Sequence, residues 1–177
     1  MTDITPCTPD DLFQKLDDLG IETTTITHPA VYTVEESKEH CGDIPGAHTK
    51  NLFLRNKKGQ MWLLVCLEDR KIDMKLLGKA LGAGKLSFGS ADRLMEFLGI
   101  TPGSVSPFTA INDKDNAVKV ILDSQMMDLS PINSHPLTNT MTTSIKPADL
   151  VQFLIAINHP PEELDIDNLA QLAQDAT

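Results

Sequence analysis

A lysine and a histidine lie where their side chains can do chemistry. Lys50 opens the apolar, strand-like segment TKNLFL, and an ammonium at the mouth of a pocket can bind a phosphate. The same position also suits an edge-strand lysine that prevents aggregation. His135 lies directly before Pro136 in a β-branched stretch, so we expect an extended backbone and a fixed ring direction. A packed structural histidine fits that position equally well.

The loop Gly103–Pro107, GSVSP, is a third candidate for chemistry. Glycine and proline bracket small residues there, and backbone amides in such a loop can face an anion or a carbonyl oxygen. A plain connecting turn is the alternative, because glycine and proline mark turns generally.

Several familiar kinds of site are absent from the sequence. The five histidines form no HxxxH or HExxH pair, and there is no Gly-x-Ser-x-Gly elbow. The segment LGAGKLS lacks two residues that a phosphate-binding loop requires. Three widely separated cysteines suggest reduced thiols, because an odd number gives no disulfide framework. We expect neither a metal site nor an organic cofactor.

The charge distribution bears on which partners the protein can have. The net charge of -10 over 177 residues excludes a protein that coats DNA by bulk attraction. Residues 50–93 nevertheless carry a net charge of +6, between flanks of -8 each. They suit either a phosphate-facing patch or scattered solvated lysines. No apolar run suggests a membrane segment and no signal peptide is evident, so we expect a cytoplasmic protein.

Helices and hairpins alternate irregularly along the chain. A hydroxyl cap at Thr8 predicts a first helix ending near Gly20, and Asp73, Ser90 and Pro147 begin three more. A turn at residues 56–59 predicts a hairpin between strands 50–55 and 60–67. Further strand-like segments follow it: FTAIND, AVKVILD and SHPLTNTMTTSI.

This order of elements predicts an α+β fold with a mixed, largely antiparallel sheet flanked by helices. The length and the 41% hydrophobic content suit one domain, which we place at residues 1–159. We expect residues 160–177 to form an acidic, loosely attached helix or tail.

Four motifs occur in the order known from one protein family. They are HPAVYTVEES from His28, GAHTKNLFLRNKKGQMWLLV from Gly46, GSVSPF from Gly103 and HPLTNTMTT from His135. Together they resemble the YbaK-like aminoacyl-tRNA editing domains, which are relatives of the editing insertion of bacterial prolyl-tRNA synthetase. Among these, the sequence is most similar to the freestanding alanyl-tRNA(Pro) deacylases, known as ProXp-ala or PrdX.

The resemblance implies a role for each motif. Lys50 and Asn51 would hold the terminal adenosine and its phosphate, and His135 would line the amino-acid pocket. The Gly103 loop would face the aminoacyl ester and the attacking water. The remaining substrate-binding residues implied are Tyr32, Ser104 and Pro107.

The implied activity is hydrolysis of mischarged Ala-tRNA(Pro) with no side-chain nucleophile, since the tRNA ribose hydroxyl helps to activate water. The implied partner is the acceptor end of aminoacyl-tRNA, with transient contact to prolyl-tRNA synthetase as a further option. Asn133 and Ser134 precede His135 where alanine-specific members commonly carry a bulky apolar residue. Cys-tRNA(Pro), another small aminoacyl-tRNA, or a catalytically silent tRNA- or synthetase-binding module therefore remain alternatives.

Overall fold

The computed structural model describes residues 5–41 and 43–176, and within them eight strands and six α-helices alternate irregularly. The helices are α1 Pro9–Asp18, α2 Val34–Cys41, α3 Met74–Ala80, α4 Ala91–Leu98, α5 Pro147–Ala156 and α6 Leu169–Asp175. The strands are β1 Thr24–Thr27, β2 Ala47–Arg55, β3 Met61–Leu67, β4 Ser87–Phe88, β5 Val118–Asp123, β6 Ile132–Ser134, β7 Met141–Ile145 and β8 Glu162–Leu164. No helix among these residues is long and apolar enough to cross a membrane.

All eight strands join one mixed sheet in the order β1-β7-β6-β2-β3-β5-β8, and β4 pairs with β2. The pairs β1–β7, β7–β6, β2–β3 and β2–β4 are antiparallel, while β2–β6, β3–β5 and β5–β8 are parallel. The predicted α+β class with a mixed sheet is confirmed. β2 lies at the centre because β3 covers one of its edges, while β6 and β4 share the other.

Helices bury both faces of the central strands. On the first face, side chains such as Phe53, Leu63 and Leu122 pack in a cluster with α1, α4 and α5. On the second face, Leu54, Leu64 and Ile121 pack in a cluster with α3 and α6. Adjacent strand residues point to opposite faces, so neighbours in β2 serve different layers.

Local signals predicted several helix ends correctly. The Thr8 hydroxyl accepts a hydrogen bond from Asp11 N, and Asp11 accepts one from Thr8 N in return, which completes a capping box. Ser90 and Asp73 likewise cap α4 and α3. Gly99 ends α4 in the left-handed conformation, at φ 60°, which glycine adopts without strain.

The structure corrects the prediction of a strand at FTAIND. Residues Pro107–Asn112 form a 3₁₀ helix instead, and all six are buried. Proline at the first position lacks an N–H, and the Ser106 hydroxyl accepts from Phe108 N. A strong cap therefore overrides the strand-like composition.

The C-terminal segment is more firmly attached than the sequence predicts. β8 extends the sheet beside β5, and α6 packs against α3 with Leu169 and Ala173 buried. Burial of a large apolar side chain stabilises a fold by about 1.5–3 kcal/mol. Residues 162–175 are therefore part of the packed structure rather than a loosely attached tail.

A buried ion pair joins the end of α5 to the turn before β5. His159 Nε2 lies 2.9 Å from Asp113 Oδ2, and both side chains are almost fully buried. Burial lowers the pKa of His159, but the hydrogen bond to Asp113 outweighs it, so the net shift is upward. The pKa of Asp113 is lowered: burial acts against this shift, but the hydrogen bond from His159 prevails.

We predict that His159→Gln lowers the free energy of unfolding by about 3–5 kcal/mol, because the buried Asp113 loses its charged partner and keeps only the amides of Ala117 and Val118. Since the folded pKa of His159 is raised, the pair's contribution is full below the ordinary histidine pKa and declines as pH rises through the folded value. Urea unfolding at acidic and alkaline pH measures this difference, with the exposed His40→Gln as control. A difference that grows with pH would contradict the assignment.

Candidate active site

A cavity of about 140 Å³ lies between the start of α2, the first half of β2 and the loop before Pro107. Five of the seven residues that the sequence singled out line it: Tyr32, Lys50, Asn51, Gly103 and His135. They come from four separate motifs. The β2–β6 pairing brings two of these together, and contacts of Asn139 with Val31 and of Gly103 with Tyr32 bring in the remaining two motifs. The other two, Ser104 and Pro107, are buried and do not line this cavity, whereas the neighbouring Pro102 and Val105 do.

A smaller cavity of about 30 Å³ adjoins the first and shares Ser37, Thr49, Asn51 and His135 with it. It has room for about one or two water molecules. Its other lining residues are small or polar: Cys41, His48, Asn133, Ser134 and Thr142. Within the described part of the chain, Asn51 Oδ1 and Ser134 Oγ are buried without a hydrogen-bond partner.

The alternation of β2 separates its two site residues. Lys50 lies opposite Cys66 of β3, and its ammonium donates a hydrogen bond to the Arg70 carbonyl. Asn51 points to the other face, where it lines both cavities. The strand therefore brings a cation and an amide to the larger cavity from its two faces.

His135 is held in one orientation by its own segment. Its Nδ1 lies 2.9 Å from the Met141 carbonyl, which can only accept, so Nδ1 carries the hydrogen. Burial lowers the pKa of His135, and the His28 ring at a centroid distance of 6.1 Å adds to that shift, while the bond to Met141 opposes it. The neutral ring therefore presents an Nε2 lone pair as an acceptor.

The Gly103 loop forms a 3₁₀ turn, Pro102–Ser104, that packs beneath Tyr32. A Cβ at Gly103 would lie 3.0 Å from Tyr32 Cδ1 and 3.2 Å from Asn139 Nδ2, so close approach explains the glycine. The Ser104 amide donates to the Thr101 carbonyl. The amides of Gly103 and Val105 are thus the candidates for facing a carbonyl oxygen.

Two residues near the site were missed by sequence reasoning. Glu68 lines the larger cavity, where burial raises the pKa of its carboxyl group. The predicted hairpin held the signal for Glu68, because its register places Glu68 near the start of β2. In the structure, Glu68 N donates to the His48 carbonyl just beyond the last β2–β3 pair. Asn139 donates to the Val31 carbonyl and so ties the HPLTNT motif to the segment before α2. That contact depends on tertiary structure and has no local signal.

Tyr32 is an exposed residue of the cavity wall, with 73% of its surface accessible. Its backbone N–H donates to Glu36 Oε2, and the Thr33 hydroxyl accepts from Glu36 N. Thr33 and Glu36 thus cap the start of α2 in the manner of a capping box, with the return bond coming from Tyr32 N. This fixes the backbone of Tyr32 and leaves its ring over the cavity mouth.

The chemistry that this arrangement supports is binding and hydrolysis of a small ester. A cation, a neutral imidazole and a loop with two candidate amides surround a polar cavity, with no serine or cysteine activated as a nucleophile by a neighbouring base in the described residues. No cluster of three or more possible metal ligands occurs in the same part of the chain.

Comparison with known proteins identifies the family. The profile of the aminoacyl-tRNA editing domain matches residues 28–153. This chain belongs to that family. It is 41% identical over 143 residues to the prolyl-tRNA editing protein ProX of Acetoanaerobium sticklandii, covering 80% of this chain and 87% of that one. It is 38% identical over 162 residues to the mouse prolyl-tRNA synthetase associated domain-containing protein 1, covering 89% and 95% of the two chains.

A solved structure, described as a candidate trans-editing enzyme for prolyl tRNA synthetase, supports the fold. It has a TM-score of 0.67 and 18% sequence identity, and the match covers 91% of this chain and 99% of that one. The protein is thus an aminoacyl-tRNA editing deacylase of the prolyl-tRNA editing group, a hydrolase of the ester that joins an amino acid to tRNA. An editing domain of this kind binds mischarged tRNA.

We predict that the acid limb of the pH profile of deacylation lies below the ordinary histidine pKa of about 6.5, because the neutral form of His135 is the acceptor and its pKa is lowered. Single-turnover rates between about pH 5 and 8 measure it. The limb should vanish from the residual activity of His135→Asn and persist in His40→Asn, whose ring is exposed outside the site. A limb that survives in His135→Asn would contradict this role.

Proposed function

We propose that this deacylase acts in trans on mischarged Ala-tRNA(Pro) and so protects translational fidelity. The observation that carries the proposal is the meeting of Lys50, the Gly103 loop and His135 around one cavity that opens into a much smaller one. A synthetase that selects proline cannot strongly exclude the smaller alanine by binding alone. A second site that admits only small side chains removes the error.

The geometry supports a division of roles in ester hydrolysis. Lys50 binds a phosphate near the terminal adenosine, and Asn51 and Tyr32 complete the walls around the substrate. The His135 Nε2 lone pair accepts from the substrate's α-ammonium group. The amino-acid side chain enters the cavity of about 30 Å³.

The chemical step needs a water and donors for the developing negative charge. Water adds to the carbonyl carbon, the ester bond to the ribose oxygen breaks, and free alanine leaves with intact tRNA. The amides of Gly103 and Val105 stabilise the oxyanion, an effect commonly worth about 3–4 kcal/mol per donor. The tRNA ribose hydroxyl helps to activate the water, as the family resemblance implies.

The proposal extends to the organisation and setting of the protein. Residues 1–159 form the editing unit, and Ser104 and Pro107 support it by shaping the loop rather than by touching substrate. The partner is the acceptor end of aminoacyl-tRNA in the cytoplasm, with transient contact to prolyl-tRNA synthetase. Neither DNA nor a membrane is a partner in this account.

We predict that purified protein releases alanine from Ala-tRNA(Pro) and that Lys50→Ala lowers kcat/KM at least about tenfold, because a charge-assisted bond to the substrate is lost. Release of labelled alanine measures the rate. Lys57→Ala, in the β2–β3 turn, is the matched control and should lose far less. Absence of release above buffer, or full activity of Lys50→Ala, would contradict the proposal. Tight binding of tRNA without turnover would indicate a silent binding module.

A second candidate substrate is Ser-tRNA, favoured by the partnerless Asn51 Oδ1 and Ser134 Oγ in the smaller cavity. A substrate hydroxyl there would satisfy one buried polar atom, and leaving such an atom unpaired costs about 1–3 kcal/mol. Cys-tRNA(Pro) would bring a thiol, which is a weaker donor.

We predict that Ser134→Ala raises the ratio of kcat/KM for alanyl over seryl tRNA(Pro), because it removes a polar partner from the wall. The change should be a few-fold, in keeping with one neutral hydrogen bond of about 1 kcal/mol. Parallel deacylation of the two tRNAs measures it. An unchanged ratio would show that Ser134 does not face the amino-acid side chain.

A further inference from the structure

A chain of charged residues fixes the position of the Lys50 ammonium. Lys50 Nζ donates to the Arg70 carbonyl, and the Arg70 side chain is itself fixed between two carboxylates. Its Nε lies 3.1 Å from Asp123 Oδ2, and its outer nitrogen donates to Asp167. The Arg70 side chain is only 15% exposed and Asp123 is fully buried, so the contact between them is shielded from solvent, whereas Asp167 is 59% exposed.

Asp123 anchors this chain in the sheet. Its side chain is fully buried at the end of β5, where it also accepts from Leu67 N at 3.3 Å and Gln125 N at 3.1 Å. Cys66 lies across the strand pair from Lys50, and burial raises the pKa of its thiol to about 11. The neighbouring thiol therefore stays neutral and does not compete for the ammonium.

Asp167 brings in the C-terminal segment. It belongs to the short 3₁₀ turn Ile166–Asn168, between β8 on the sheet and α6 on α3. Besides the bond from Arg70, it accepts one from Gln125 Nε2. This turn lies outside the residues 28–153 that match the family profile. Within the described part of the chain, the Asp167 side chain makes polar contacts only to Arg70 and Gln125.

We infer that Asp167 and Asp123 are positioning residues, which fix Arg70 so that its carbonyl orients the Lys50 ammonium before substrate binds. The inference rests on the proposed function in so far as Lys50 is the substrate-binding cation. It gives the C-terminal segment a part in the active site. Preorganisation of this kind lowers the entropy lost on binding. Substrate phosphate then meets an ammonium whose position is already fixed by the Arg70 carbonyl.

Asp167 is the better test position. Removing Asp123 would take away the buried partner of Arg70 and unfold the protein. Asp167→Asn keeps the size of the side chain and leaves the Arg70–Asp123 pair in place. If Asp167 acts through Lys50, the effects of Asp167→Asn and of a Lys50 substitution on kcat/KM must be coupled. A purely structural role would instead lower activity by the same factor whether or not the lysine is present.

The experiment is a double-mutant cycle of Asp167→Asn and Lys50→Met, with kcat/KM for Ala-tRNA(Pro) as the readout. We expect Asp167→Asn to lower kcat/KM about fivefold beside Lys50 and to have almost no effect beside Met. Asp167→Glu should restore part of the loss. Asp165→Asn, in the same segment and without a side-chain capping bond, should behave as wild type. Equal losses in both backgrounds would overturn the inference.

A second readout does not depend on activity. Competitive acylation with acetic anhydride, followed by mass spectrometry, measures how freely each lysine reacts. Lys50 should react several-fold faster in Asp167→Asn than in wild type, while Lys57 is unchanged. An unchanged Lys50 rate would overturn the inference even if the protein deacylates Ala-tRNA(Pro). A faster rate in a protein without that activity would uphold it and refute the proposed substrate alone.

Discussion

The site depends on one strand being paired along both edges. β2 lies between β3 on one side and β6 with β4 on the other, so its backbone is fixed and its side chains alternate between two packed faces. Lys50 and Asn51 therefore leave the strand on opposite faces, and both reach the cavity that His135 also lines. A slip of one residue would exchange the two. Parallel pairing with β6 then brings His135, which directly follows that strand, close to Lys50.

Local signals in the sequence predicted much of this arrangement, and long-range contacts account for what it missed. The β2–β3 hairpin and the caps at Thr8 and Ser90 were predictable because each depends on a few neighbouring residues. The 3₁₀ helix at Pro107–Asn112 was not, since its strand-like composition conceals a proline start and complete burial. Asp167 meets Arg70 across 97 positions of sequence, which no local pattern reveals. Five candidate residues converged because whole motifs, rather than single residues, identified them.

Size and polarity together define what the site can accept. In the proposed function, the smaller cavity of about 30 Å³ takes the amino-acid side chain, and its size favours alanine over the larger pyrrolidine ring of proline. Its wall of hydroxyl, thiol and amide groups differs from a purely apolar alanine pocket, and two buried oxygen atoms there lack partners within the described chain. In the proposed function, neutral His135 beside this cavity offers its Nε2 as an acceptor for the α-ammonium group of the substrate. Selection among substrates then rests on the amino-acid side chain.

Comparison of Ala-tRNA(Pro) with correctly charged Pro-tRNA(Pro) tests this central claim most directly. Initial rates of amino-acid release should be measured for both at equal, subsaturating tRNA concentration, with the wild-type protein. If the smaller cavity excludes the pyrrolidine ring of proline, alanine should be released at least about tenfold faster. Each extra methylene in such a pocket is worth about 1–3 kcal/mol of discrimination. Equal rates, or faster release of proline, would contradict selection by this cavity.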